Sequence, residues 1–163
     1  MAPLRLLISV GSALAPYVAT TPSGRAVATL HRATWPKQPW LLEIDRRQYR
    51  IEHAVTTNKV LLNDHGFRLV DEAGTLLASC IAKPAVRSTD VVIGETTYRL
   101  VRQKRLLSVH YAVEDGNGRQ LGSIGDASAF ALWRRTFRID MPEQIGLPAA
   151  MFLFYLVATF SFR

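Results

Sequence analysis

The residues with the most chemical promise lie where glycines cluster. His110 to Gly125 reads HYAVEDGNGRQLGSIG, and glycines beside a strand are what a phosphate-binding loop uses to bring backbone N–H groups onto a pyrophosphate. Gly116, Gly118 and Gly122 are spaced G-x-G-x-x-x-G, one residue longer than the dinucleotide fingerprint. The residues after them alternate and include β-branched Ile124, which suits a second strand rather than the helix a nucleotide needs. Asp115-Gly116-Asn117-Gly118 therefore reads as a hairpin turn, built from types that tolerate positive φ. The same residues begin like a calcium loop, but Arg119 holds the fifth position and no glutamate closes it.

Other chemistry is similarly thin. His31, His53, His65 and His110 form no H-x-x-x-H pair, and no metal site or cofactor is expected. Gly122-Ser123-Ile124-Gly125 is one residue short of a nucleophile elbow. Asp71 and Asp115 read as turn aspartates. No catalytic residue is assigned, and the chain is expected not to be an enzyme. A constellation assembled from distant residues is the further alternative. The lone Cys80 excludes an internal disulfide and reads as a small buried side chain.

Charge points to anionic partners. Twenty Lys and Arg against 13 Asp and Glu give a net +7 over 163 residues. Arg99, Arg102, Lys104, Arg134 and Arg138 are the candidates for contact with anionic headgroups, within a wider basic set that includes Arg46-Arg47, Arg50 and Arg105. An anionic lipid or membrane surface is the expected partner. Charge spread only for solubility is the bland alternative. Nucleic acid is disfavoured, because the aromatics fall on the inward parity and leave few rings for stacking on bases.

These residues must be positioned by strands. Tyr49-Arg50-Ile51, Phe67-Arg68-Leu69, Tyr98-Arg99-Leu100 and Phe137-Arg138-Ile139 share one signature, which in a strand buries an aromatic and an aliphatic and exposes the arginine between them. Phe67 to Cys80 also matches Tyr111 onward at an offset of 44, with Asp71 on Asp115 and Gly74 on Gly118. Upstream, Ile44, Tyr49, Arg50 and Ile51 match Ile93, Tyr98, Arg99 and Leu100 at an offset of 49. One hairpin unit is used twice. Antiparallel strands are expected from about Trp40 to Asp140.

The ends differ from this middle. Residues 1–39 read as an N-terminal segment and linker, with Pro22, Gly24, Pro36 and Pro39 as breakers. Their start imitates a secretory signal, with Arg5, an apolar run and Ala13-Leu14-Ala15, although Pro16 opposes cleavage. A flexible or strand-forming segment is the other reading. Residues 40–163 form the single domain. It closes on an uncharged run from Leu147 to Phe162, expected to be a helix over 147–162 that is apolar on every side and must be buried. It lies either inside the strands or, as Ile145 to Phe162, across a bilayer.

Two hairpin copies of the form [FY]-x-[LV]-x-D-x-x-G-x-x-L followed by an apolar C-terminal run resemble the tubby-like superfamily, which includes phospholipid scramblases and LURP-one-related proteins. The resemblance implies a closed antiparallel β-barrel around a buried hydrophobic C-terminal helix, and favours the interior for Leu147 to Phe162. It also implies a non-enzymatic lipid-binding or membrane-surface module, cytoplasmic and peripheral to a membrane. A membrane-anchored or exported protein is the alternative. The calcium-binding acidic segment and cysteine cluster of scramblases have no counterpart here. The basic barrel surface by which tubby proteins bind phosphoinositides is matched only in general basicity.

Overall fold

The computed structural model describes residues 2–10, 14–35, 38–56, 64–82, 87–105, 108–127 and 136–161. Twelve strands run β1 (Leu4–Val10), β2 (Tyr17–Thr20), β3 (Ala26–His31), β4 (Trp40–Ile44), β5 (Arg47–Thr56), β6 (Asp64–Val70), β7 (Leu76–Ala82), β8 (Ser88–Ile93), β9 (Thr96–Arg102), β10 (His110–Glu114), β11 (Gln120–Asp126) and β12 (Thr136–Met141). Each pairs antiparallel with its neighbours in sequence, and β12 pairs with β1 to close the barrel. Closure leaves no free sheet edge. A single 3₁₀ turn over Glu143–Ile145 then leads into helix α1 (Leu147–Ser161).

The expected alternation holds in the aromatic-arginine-aliphatic triplets and fails in β10, where Tyr111, Ala112 and Val113 are all buried. In all four triplets the aromatic and the aliphatic are buried, while Arg50, Arg68, Arg99 and Arg138 are exposed on the outer wall. Inside the wall lies α1, with every residue from Ala149 to Ala158 buried. An eight-stranded barrel is just filled by its own side chains, whereas twelve strands leave a lumen wide enough for a helix about 10 Å across. Phe154 meets Tyr17 and Phe137 edge-on at centroid distances of 5.2 Å. Tyr155 meets Trp40 at 5.0 Å and Phe67 at 5.8 Å. The helix is the barrel's core, which removes the basis for a span over Ile145 to Phe162. Among the described residues, no helix is long and apolar enough to cross a membrane.

The linker reading of residues 1–39 is overturned. Three of the twelve strands come from that stretch, and Leu6, Ile8, Tyr17, Ala19, Ala28 and Leu30 belong to the core. Pro22 and Gly24 misled because they sit in a turn between two short strands, while Pro36 lies outside the described residues. Pro22 occupies the second position of a turn, where its fixed φ is favourable. The first half of the apolar run that imitated a signal, Leu6 to Val10, lies in β1, so a cut after Ala15 would remove the strand that closes the barrel.

That stretch also holds a turn of the same geometry as the two Asp-x-x-Gly turns. The turns Thr21–Arg25, Asp71–Thr75 and Asp115–Arg119 share one geometry: the first residue's N–H donates to the fifth carbonyl at 2.9, 3.1 and 3.0 Å, and the glycine N–H donates to the first carbonyl at 2.9, 3.0 and 3.0 Å. The first side chain, hydroxyl or carboxylate, accepts the fifth N–H at 3.2, 2.8 and 2.9 Å. Gly24, Gly74 and Gly118 all adopt φ near 80°, at 86°, 81° and 78°, which only glycine reaches without strain. A register shift precedes each turn at the same point, between Ala19 and Thr20, Leu69 and Val70, and Val113 and Glu114. The three turns join β2 to β3, β6 to β7 and β10 to β11, four strands apart around the barrel.

Candidate functional site: a cationic cup at one end of the barrel

Because the strands alternate in direction, their connections fall at two ends. One end carries only short links, 21–25, 45–46, 71–75, 94–95, 115–119 and the approach to α1. The other carries the longer ones, 11–16, 32–39, 57–63, 83–87, 103–109 and 127–135. At this second end Arg87, Arg102, Gln103, Lys104, Arg105 and Ser108 line a recess of about 460 Å³. Two strand-end hydrogen bonds assemble it. Arg102 N–H donates to Arg87 carbonyl at 2.9 Å, and Gln103 N–H donates to His110 carbonyl at 2.8 Å. These tie the end of β9 to the connection before β8 and to the start of β10.

The electrostatics of the cup are one-sided. Among the described residues, none of its four cations has an ion-pair partner, and no carboxylate is in the lining. Asp126, at the end of β11, lies beside the cup rather than in its lining: its carboxylate accepts the N–H of Val109, next to Ser108, at 2.7 Å. His110 is held below its ordinary pKa by burial first and by the Arg105 charge second, so it stays neutral near pH 7. Four clustered positive side chains with amide and hydroxyl donors between them can do one thing well, which is to receive an anion that carries several oxygens.

The sequence candidates separate. Arg102 and Lys104 stand in the cup. Arg99 does not; it lies on the outer wall, where its Nε donates to Asp90 Oδ1 at 3.2 Å. Arg138 lies on the outer wall of β12 between Gly125 and Leu7. Arg134 lies outside the described residues. The error in grouping Arg99 with Arg102 is one of parity: positions three apart in a strand face opposite sides. Arg102 shares the parity of the buried Tyr98 and Leu100, but it stands at the strand end beyond the apolar lumen and is exposed. Arg87 and Arg105 complete the cluster. Arg87 carried no local signal, because its proximity depends on the β8–β9 ladder.

Two other groups bear on chemistry. His53 and His65, scattered in sequence, come together across β5 and β6 with Nε2 and Nδ1 2.9 Å apart, and His53 stacks on Phe67. Among the described residues, no group of three or more His, Cys, Asp or Glu could hold a metal ion. Cys80 is buried, and its thiol pKa is pushed up to about 12 by that burial first and by Asp90 second, which keeps it unreactive. No protein-family model, no curated protein and no solved structure matches the chain.

Proposed function

We propose that this protein is a non-enzymatic binding module that engages anionic lipid headgroups through the cup of Arg87, Arg102, Lys104 and Arg105. One observation carries the reading: four cations, without ion-pair partners among the described residues, converge on one recess. Basic residues near an anionic surface contribute about 1 kcal/mol each, so a cluster of four supplies more attraction than single wall arginines, of which Arg50 and Arg99 already face Glu52 and Asp90. A barrel closed around its C-terminal helix is also the architecture that the resemblance to the tubby-like superfamily implies, which supports a lipid-associated role. A cytoplasmic, peripheral location fits the same reading, because the cytoplasmic leaflet presents anionic lipid.

Vesicle sedimentation tests it. The protein should pellet with phosphatidylcholine vesicles containing phosphatidylserine and not with phosphatidylcholine alone, and the binding should weaken as salt rises. Replacing Arg87, Arg102 and Arg105 together by glutamine should lower the affinity by about a hundredfold. Arg99→Gln with Arg138→Gln should leave it nearly unchanged. Binding by the triple variant equal to that of the wild type would refute the proposal.

A further inference from the structure

The cup belongs to a larger asymmetry along the barrel axis. The short-turn end gathers Asp45, Asp71, Glu72, Glu95, Asp115 and Glu143, against a smaller group of arginines in the same turns. The long-connection end gathers Arg32 and the four cations of the cup. Among the described residues, the turn carboxylates outnumber Arg25, Arg46 and Arg119 at one end and the five cations outnumber Asp126 at the other, so the two ends carry opposite charge. A field of this kind orients a protein as it approaches a charged surface.

Exposed apolar side chains follow the same axis. Leu14 is 94% exposed, Trp35 67% and Ile81 67%, the three largest values among the exposed large hydrophobics of the described residues. Leu14 and Trp35 stand in connections at the basic end, and Ile81 is one residue from the end of β7 that leads toward Arg87. Leu76 and Val92, nearer the acidic end, are less exposed, at 48% and 39%. Tryptophan and leucine at the same end of a barrel as arginine and lysine suit a bilayer interface, where apolar rings enter the acyl boundary and cations remain with the phosphates. On the outer wall Arg50, Arg68, Arg99 and Arg138 project from the middle, and Leu41, Leu76 and Val92 are less exposed than Leu14 and Trp35.

We infer that the protein docks end-on, with its long-connection end against an anionic bilayer and with Trp35 and Leu14 entering the interface. This inference rests on the headgroup-binding reading above and adds its orientation. The inert Cys80 makes a direct test available, because a thiol-reactive fluorophore will label only a new, exposed cysteine. Full-length Leu14→Cys, Trp35→Cys and Glu95→Cys variants are labelled with an environment-sensitive dye and mixed with phosphatidylserine-containing vesicles. The dye at 14 and 35 should brighten, shift to the blue and be quenched by nitroxide lipids, while the dye at 95 should not change. Leu14→Ala with Trp35→Ala should lower vesicle partitioning by about tenfold with an unchanged thermal midpoint. If the labelled protein pellets with the vesicles but 14 and 35 stay dark, or 95 responds, end-on docking is wrong and headgroup binding stands. If nothing pellets, both fail.

Discussion

The two ends of this barrel are made by the same strands and differ only in what joins them. At one end, three turns repeat the same hydrogen bonds and the same left-handed glycine, and acidic side chains serve as acceptors for backbone N–H groups. At the other, longer connections surround a recess of cations that no carboxylate among the described residues neutralises. Chain that satisfies its own backbone locally is committed to holding register. Chain released from that duty can carry unpaired charge and exposed apolar groups, which is where binding surfaces concentrate.

The comparison is tested most severely at the core that both ends share. Phe154 is fully buried between Tyr17 and Phe137, so Phe154→Ala should cost about 3–5 kcal/mol and weaken both ends together in urea unfolding. Loss confined to one end would show that the barrel is not one cooperative unit.

Next in size is close packing on the short-turn side. A Cβ on Gly122 would stand 2.7 Å from Met141 Sδ and press on the β12 backbone, whereas at Gly116 it would meet nothing within 4 Å. Gly122→Ala should cost about 1–3 kcal/mol. Gly116→Ala should leave the thermal midpoint almost where it was.

A pair of substitutions sharpens the division of labour. The Asp71 carboxylate accepts the N–H groups of Ala73 and Thr75 at 3.0 and 2.8 Å. Asp71→Ala should therefore cost about 1 kcal/mol of stability without altering vesicle binding. Arg105→Gln should do the reverse, lowering vesicle affinity several-fold at constant stability. If both changes moved both readouts, the separation of ends would be lost.

The smallest effect is a pH dependence in the Asp115 turn. The Arg119 backbone N–H is the main cause holding this carboxyl below its ordinary pKa, with the Asn117 N–H and the Arg119 charge assisting against slight desolvation. A folded-state pKa below the unfolded one adds stability above the unfolded value, about 3.9, and that contribution disappears as pH falls through the folded value. Asp115→Asn should therefore be slightly less stable than wild type at pH 6, with the gap closing as the pH drops below about 3.9. A gap that is constant across the range would mean the carboxylate's charge contributes nothing to the turn.

Legibility followed the range of the forces involved. Alternation in the four aromatic-arginine-aliphatic triplets and the Asp-x-x-Gly turns act over a few residues and could be read directly. The Thr21–Arg25 turn escaped because Thr21 stands where the other two turns have aspartate and Pro22 resembles a breaker, although the hydroxyl accepts the same N–H. Arg102 and Lys104 were legible as basic residues near a strand end. Their separation from Arg99 and their company with Arg87 were not, because these depend on parity at the barrel rim and on a ladder between strands.

Sequence alone determined that the chain must form antiparallel strands with tight polar turns, and that its last uncharged stretch must be buried, because side-chain alternation, turn dihedrals and apolar transfer are local properties. Only the tertiary structure decided where that stretch is buried. Pairing β1 with β12 closes a twelve-stranded lumen around α1, and the same closure sets the acidic turns and the cationic cup at opposite ends of one axis. No local rule contains that outcome, since it follows from the barrel joining residues that lie far apart in the chain.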